Sequence, residues 1–217
     1  APSQAIHRTG LGCATAPEAD VETVRSLSAP VSEAVPLDEK LIWPEGEGTP
    51  APDRRLAAVL ADAELLGPSV RGVVVVKDGQ LVGEAYGDGF NERTPLLGWS
   101  MTKTVTAALV GLMQQERRLD IDARGLFPEW SGDARRAIAL ADLLAMESGL
   151  GFNESYGDVT DVTRMLYLEP DMGAYAASLP ADEAPGTRFN YSSGETVLIS
   201  RYWMSRFSNP AEALAFP

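Results

Sequence analysis

The sequence predicts an α+β fold, in which an antiparallel sheet flanked by helices adjoins a mostly helical region. Three observations carry that prediction. Apolar residues recur at helical spacing within "DRRLAAVLADAELLG", a hairpin signature occupies residues 72–86, and the rest of the chain alternates helix-period runs with Gly and Pro turns. Two strands do not complete a sheet, so the hairpin is expected to be one part of a larger one. At 217 residues and 45% hydrophobic, the chain can bury the core of one domain or of two interleaved subdomains.

Three stretches are expected: an extended N-terminal segment over 1–52, the N-terminal part of the sheet region over 53–95, and a helical region over 96–217. The first is rich in Pro, Ala, Ser and acids and closes in the turn-rich "WPEGEGTPAP". In the second, Leu56, Val59, Leu60, Ala63 and Leu66 form one stripe, and Gly67 followed by Pro68 supplies the stop, which predicts a surface helix with one buried face. "RGVVVVKDGQLVGEAYG" then predicts antiparallel strands near 72–77 and 81–86 around an Asp-Gly turn. Its unbroken Val73–Val76 run predicts a strand covered on both faces.

From Met101 to Met113 apolar residues occupy every side of a helix, which predicts that it lies inside the protein. "DARRAIALADLLAMESGLGF" predicts a helix near 139–147. "DVTRMLYL" and "DMGAYAASL" predict two short ones, and "APGTRFNYSSGETVLISRYWMSRF" predicts a Pro-Gly turn, a polar loop and a final amphipathic helix. No internal repeat or low-complexity tract is present.

A net charge of −13 argues against a nucleic-acid or anionic-membrane partner, because both require clustered cations, and points to a small molecule or short peptide. No apolar run approaches the roughly 20 residues needed to span a bilayer, and residues 1–50 lack a signal-peptide profile. Cys13 is the single cysteine, which excludes an intrachain disulfide and a thiolate metal cage, and it reads as an inert free thiol. His7, the single histidine, lies in a terminal segment. Histidine-based triads, Cys-His pairs and histidine-rich zinc sites are therefore disfavoured. A catalytic base must come from lysine, tyrosine or a carboxylate.

Only three lysines occur, and Lys103 stands three residues after Ser100 at the mouth of the apolar helix. Residues three apart share a helix face, so hydroxyl and amine can meet. A first-turn position surrounds Ser100 with unpaired N–H groups and the positive end of the helix dipole, and burial of Lys103 would favour a neutral amine. The competing interpretation is a Ser N-cap with a lysine reaching to solvent. Tyr191, in "RFNYSSGE", is placed to shuttle a proton or is simply a half-buried tyrosine with a satisfied hydroxyl. Glu147, Glu154, Asp158 and Asp161 offer a carboxylate pair or a hard-cation site, although scattered acids in so acidic a chain are most often solvated. The "GEG" and "GLG" runs lack the context of phosphate loops.

Taken in order, "WSMTKTVTAALVG", "IALADLLAMESGL" and "PGTRFNYSSGE" resemble the serine β-lactamase and penicillin-binding-protein superfamily over about residues 70–205. The resemblance is to its class C-like branch of esterases, amidases and D-aminopeptidases. It implies a β-lactamase/transpeptidase-like fold and a covalent acyl-enzyme formed without a metal or organic cofactor. Ser100 becomes the acylated nucleophile, and its backbone N–H supplies half of the oxyanion hole. Lys103 becomes the base, and Tyr191 the tyrosine of a Tyr-x-Asn motif. Ser193 takes the substrate-contacting position usually held by asparagine. That departure favours an esterase or short-amide hydrolase related to 6-aminohexanoate-dimer hydrolase over efficient β-lactam hydrolysis.

The superfamily's third motif, Lys-Thr-Gly or His-x-Gly on a later strand, has no match in this sequence. The expectation is a partial chain without the C-terminal strands, working with a further segment of the same protein. A catalytically silent ligand-binding relative, or an inactive fragment, is the alternative. The resemblance also favours a periplasmic or exported setting.

Overall fold

The computed structural model describes residues 5–9, 12–15, 21–26, 38, 40–49 and 51–216. They fall into two compact units, one drawn from residues 1–31 and 99–217 and the other from 32–98.

In the smaller unit, helix α2 (Arg54–Leu60) is followed by helix α3 (Ala63–Leu66). The single helix that the apolar spacing predicted is therefore two. The reason is Asp62, whose carboxylate accepts the Glu64 and Leu65 N–H groups at 3.0 and 3.1 Å and starts a new helix, as Asp53 does for α2. Val59 and Ala63, predicted to face inward, are exposed, while Leu56, Leu60 and Leu66 are half-buried.

Strands β3 (Gly72–Lys77) and β4 (Gln80–Tyr86) pair antiparallel with a bulge between Val75 and Val76. They are joined at Asp78 and Gly79, whose φ values of 52° and 78° suit a tight two-residue hairpin turn. Gly83 lets β4 approach α2, because a Cβ there would meet the Leu56 and Leu60 side chains at 2.9 Å. Val74 and Val76 are 58% and 48% exposed, so β3 is open on one face and not covered on both.

In the larger unit, composition alone predicted an extended stretch at the N-terminus. Within it lie strands β1 (Ala5–Arg8) and β2 (Gly12–Thr15), a hairpin pairing His7 with Cys13, and helix α1 (Val21–Ser26). The predicted close of that stretch, 43–52, belongs to the smaller unit and is turn-rich over its described residues 43–49. Such short elements rest on tertiary contact and carry too few residues for a readable period.

The body of this unit contains helices α4 (Thr102–Gln115), α5 (Leu140–Leu144), α6 (Asp161–Tyr167), α7 (Met172–Ser178), α8 (Ser193–Met204) and α9 (Pro210–Leu214). The helix expected near 139–147 is shortened to α5 because Met146 and Gly149 adopt left-handed φ values of 57° and 79°. A continuous core joins Met113 of α4, Leu140 and Leu143 of α5, Met165 of α6 and Leu198 of α8. Trp130 is fully buried in it and donates its Nε1–H to the Ala177 carbonyl at 2.9 Å, so its polar atom is satisfied.

Helix α4 buries Thr106, Val110 and Met113, a stripe at i, i+4 and i+7, while Val105 and Leu112 are 58% and 40% exposed. The expected all-round burial is thus corrected to one buried face. Apolar composition marks a surface able to pack, and it does not say which partner covers it. Among the described residues no helix is long and apolar enough to cross a membrane.

Candidate active site

Ser100 lies in a 3₁₀ turn, Trp99–Met101, that runs into α4 without a side-chain cap. Trp99 immediately before it has φ 45°, a left-handed conformation that costs a bulky residue about 1–3 kcal/mol. That strain presents Ser100 at the mouth of the helix, exposed and among first-turn N–H groups. Three residues on, Lys103 reaches back and donates from Nζ to Ser100 Oγ at 3.3 Å. Lys103 is half-buried one turn before Thr106, at the N-terminal end of the buried stripe of α4, so the burial expected for it is only partial.

The second half of the site comes from the start of α8. Ser192 caps this helix by accepting the Glu195 N–H at 3.1 Å. Gly194 allows the Phe152 ring to press on the first turn, since a Cβ would meet the ring at 2.7 Å. The preceding loop is tied to the Met146 turn, where the Asn190 N–H donates to the Met146 carbonyl at 2.8 Å. Below it the Ser148 hydroxyl donates to Oε1 of Glu195 and accepts the Leu150 N–H. Glu195 is 2% exposed and its Oε2 has no partner. Burial pushes its carboxyl up to about 7, against the lowering effect of the Ser148 hydrogen bonds.

These constraints bring Tyr191 and Ser193 to Lys103. Nζ lies 5.0 Å from the Tyr191 ring centroid, a cation–π contact, and donates to Ser193 Oγ at 3.2 Å. Ser100, Tyr191 and Ser193, singled out in the sequence with Lys103, therefore converge on its one amine. Ser193 has a further partner that the sequence did not reveal. Its N–H and its hydroxyl both donate to Glu154, at 2.7 Å to Oε2 and 2.5 Å to Oε1. The hydroxyl proton of Ser193 lies toward that carboxylate, with the Tyr156 phenol as a further hydrogen-bond neighbour, so toward a ligand Ser193 can act as an acceptor.

Glu154 sits on a well-tied loop, where the Asn153 N–H donates to Asp161 at 2.8 Å and the Gly151 N–H to the Pro180 carbonyl at 2.9 Å. Beside it stands Tyr156, whose phenol is pushed up by partial desolvation and then by the Glu154 charge. An open cleft of about 870 Å³ adjoins these groups, lined by Phe152, Asn153, Glu154, Asp182, Arg188 and Tyr191. Glu154 and Asp161, two of the four acids weighed in the sequence as a carboxylate pair or a hard-cation site, are hydrogen-bond acceptors for protein donors. Among the described residues no group of three or more His, Cys, Asp or Glu side chains could hold a metal.

The beta-lactamase family pattern matches residues 53–201. This chain belongs to the beta-lactamase family. No curated protein matches it. Among solved structures, a presumptive 6-aminohexanoate-dimer hydrolase of Bacillus anthracis is similar with a TM-score of 0.52 at 18% identity, over 96% of this chain and 52% of that one. A presumptive beta-lactamase of Bacteroides dorei DSM 17855 is similar with a TM-score of 0.58 at 24% identity, over 75% and 49%. The fold is thus α+β and beta-lactamase-like, and the chain spans about half the length of these relatives.

For this beta-lactamase family member the Ser-x-x-K pair and the tyrosine loop were legible locally. Glu154 was weighed only as one of four scattered acids, and Tyr156 and the Ser148–Glu195 link were not legible. Their only signal in the sequence was placement, with Ser148 inside the resembling segment "AMESGL" and Glu154 and Tyr156 shortly after it.

Proposed function

We propose that the chain forms the acylating part of a serine hydrolase acting on an ester or amide. The observation that carries this reading is Lys103 Nζ within hydrogen-bond reach of both Ser100 Oγ and Ser193 Oγ, at 3.3 and 3.2 Å. Nucleophilic catalysis without histidine needs such an amine beside the hydroxyl.

In the proposed reaction, the Lys103 amine takes the Ser100 proton as Oγ attacks the carbonyl carbon. The developing oxyanion is met by the Ser100 N–H. Collapse breaks the bond to the leaving alcohol or amine, which recovers the proton from Lys103, with the Tyr191 phenol as relay. Water, giving a proton to the Lys103 amine, then attacks the acyl carbon; the bond to Oγ breaks, the carboxylic acid leaves, and Ser100 recovers its hydroxyl proton from Lys103. Toward an amide substrate, Ser193 serves as acceptor, in keeping with a short-amide or ester hydrolase. The family's third motif has no match in residues 1–217, and we propose that a further segment of the same protein supplies that strand.

The test is the intact mass of the protein before and after a fluorophosphonate, with peptide mapping. Such a probe carries its own strong electrophile, so labelling asks only whether Ser100 is activated. One adduct on Ser100, lost completely in Ser100→Ala, supports the reading. No adduct, or an adduct elsewhere, overturns it and favours a ligand-binding role for the cleft.

A further inference from the structure

We infer that Glu154 is a positioning residue, which orients the amine of Lys103 by fixing the hydroxyl of Ser193; the inference rests on the hydrolase reading above. Serine hydroxyls rotate freely, and a hydroxyl beside an ammonium or amine can meet it either way round. If its proton turned toward Lys103, it would bind the lone pair that must accept the Ser100 proton. Glu154 forbids that orientation. As an acceptor-only carboxylate it takes the Ser193 N–H on one oxygen and the Ser193 O–H on the other, at 2.7 and 2.5 Å.

With its proton drawn away, Ser193 Oγ faces Nζ with lone pairs, and the 3.2 Å contact can only run from Lys103 to Ser193. One N–H of Lys103 is thereby spent on Ser193, and the amine's remaining groups turn to Ser100 at 3.3 Å. When Lys103 becomes an ammonium during attack, the same N–H stays bonded and the Glu154 charge lies one hydroxyl away. The order is Glu154, Ser193, Lys103, Ser100, with each bond fixing the direction of the next.

The loop geometry supports a fixed carboxylate. Glu154 is half-buried, between the Asn153–Asp161 bond and the first turn of α8. A glutamine there keeps the shape but offers one acceptor and one donor. Either its amide opposes the Ser193 N–H, or it donates to Ser193 Oγ and releases the hydroxyl proton toward Lys103.

The experiment uses the full chain with ε-¹³C-lysine. The chain has three lysines, and Lys40 and Lys77 are exposed, so the third signal is that of Lys103. An oriented lysine shows two distinct ε protons, whereas a freely rotating one shows a single averaged signal. The expectation is a split Lys103 pair in the wild type that collapses in both Glu154→Gln and Ser193→Ala. Fluorophosphonate labelling of Ser100 should fall about tenfold to a hundredfold in Glu154→Gln, the scale of a misplaced reacting group. In a Ser193→Ala background the same substitution should add nothing, because the link is already cut.

A Lys103 pair left split in either variant overturns the inference. So does an equal loss of labelling from Glu154→Gln with and without Ser193. If the wild type is not labelled at all, the hydrolase reading fails by itself, and the Lys103 signal alone decides the positioning role.

Discussion

Helices α8 and α4 each deliver half of the site, and they are built in opposite ways. The start of α8 is capped by Ser192, crossed by the Phe152 ring at Gly194 and anchored underneath by the Ser148–Glu195 bond, with six of its residues buried. The start of α4 has no side-chain cap, is preceded by the strained Trp99 and buries three residues. The half that carries Ser193 is thus held by many bonds. The half that carries the candidate nucleophile is open, and at the site itself it meets the other half where Lys103 reaches Ser193. A reacting hydroxyl must be reachable, whereas the groups that orient it must not move.

The largest expected effect removes the contact that joins the two halves. Lys103→Met keeps the stem and deletes the amine, and the rate of Ser100 labelling by a fluorophosphonate should fall about 10²- to 10⁴-fold, the usual contribution of a positioned base. Unchanged labelling would mean that Ser100 is activated by something other than this amine.

Next comes the anchor under α8. The Glu195 carboxyl, ordinarily near 4.5, stands near 7 in the folded chain because it is buried. Between those two values the folded state keeps a proton that the unfolded state has released, so stability falls as pH rises through the window. The loss is on the order of 3 kcal/mol and is complete above about pH 7. Urea unfolding at pH 5 and pH 8 should show this slope in the wild type and its absence in Glu195→Gln.

A smaller effect tests the cap. Ser192→Ala removes the acceptor for the Glu195 N–H and should cost about 1 kcal/mol in the same unfolding assay. Smallest of all, Val105→Ser on the open face of α4 should change stability by about 0.5 kcal/mol or less. A larger loss would show that something covers that face and would erase the contrast between the two helices.

What the sequence determined by itself is what lies within a few residues. Ser100 and Lys103 share a helix face because three-residue spacing requires it. The 78–79 turn follows from Asp-Gly, and the short helices α6 and α7 follow from their apolar period. The order of the three motifs was enough to indicate the family. Tertiary structure alone decided the rest. Glu154 reads as one solvated acid among 31 acidic residues until the fold sets it against Ser193, 39 residues away. Glu195 reads as a first-turn helix acid until Ser148, 47 residues earlier, closes over it. The one-sided burial of α4 is of the same kind, whereas the second helix start at Asp62 is a local cap, made within three residues, that the apolar period did not register. Periodicity reports which faces are able to pack and which side chains are able to accept a hydrogen bond. The partner that does so is chosen by how distant segments meet, and no local pattern records that choice.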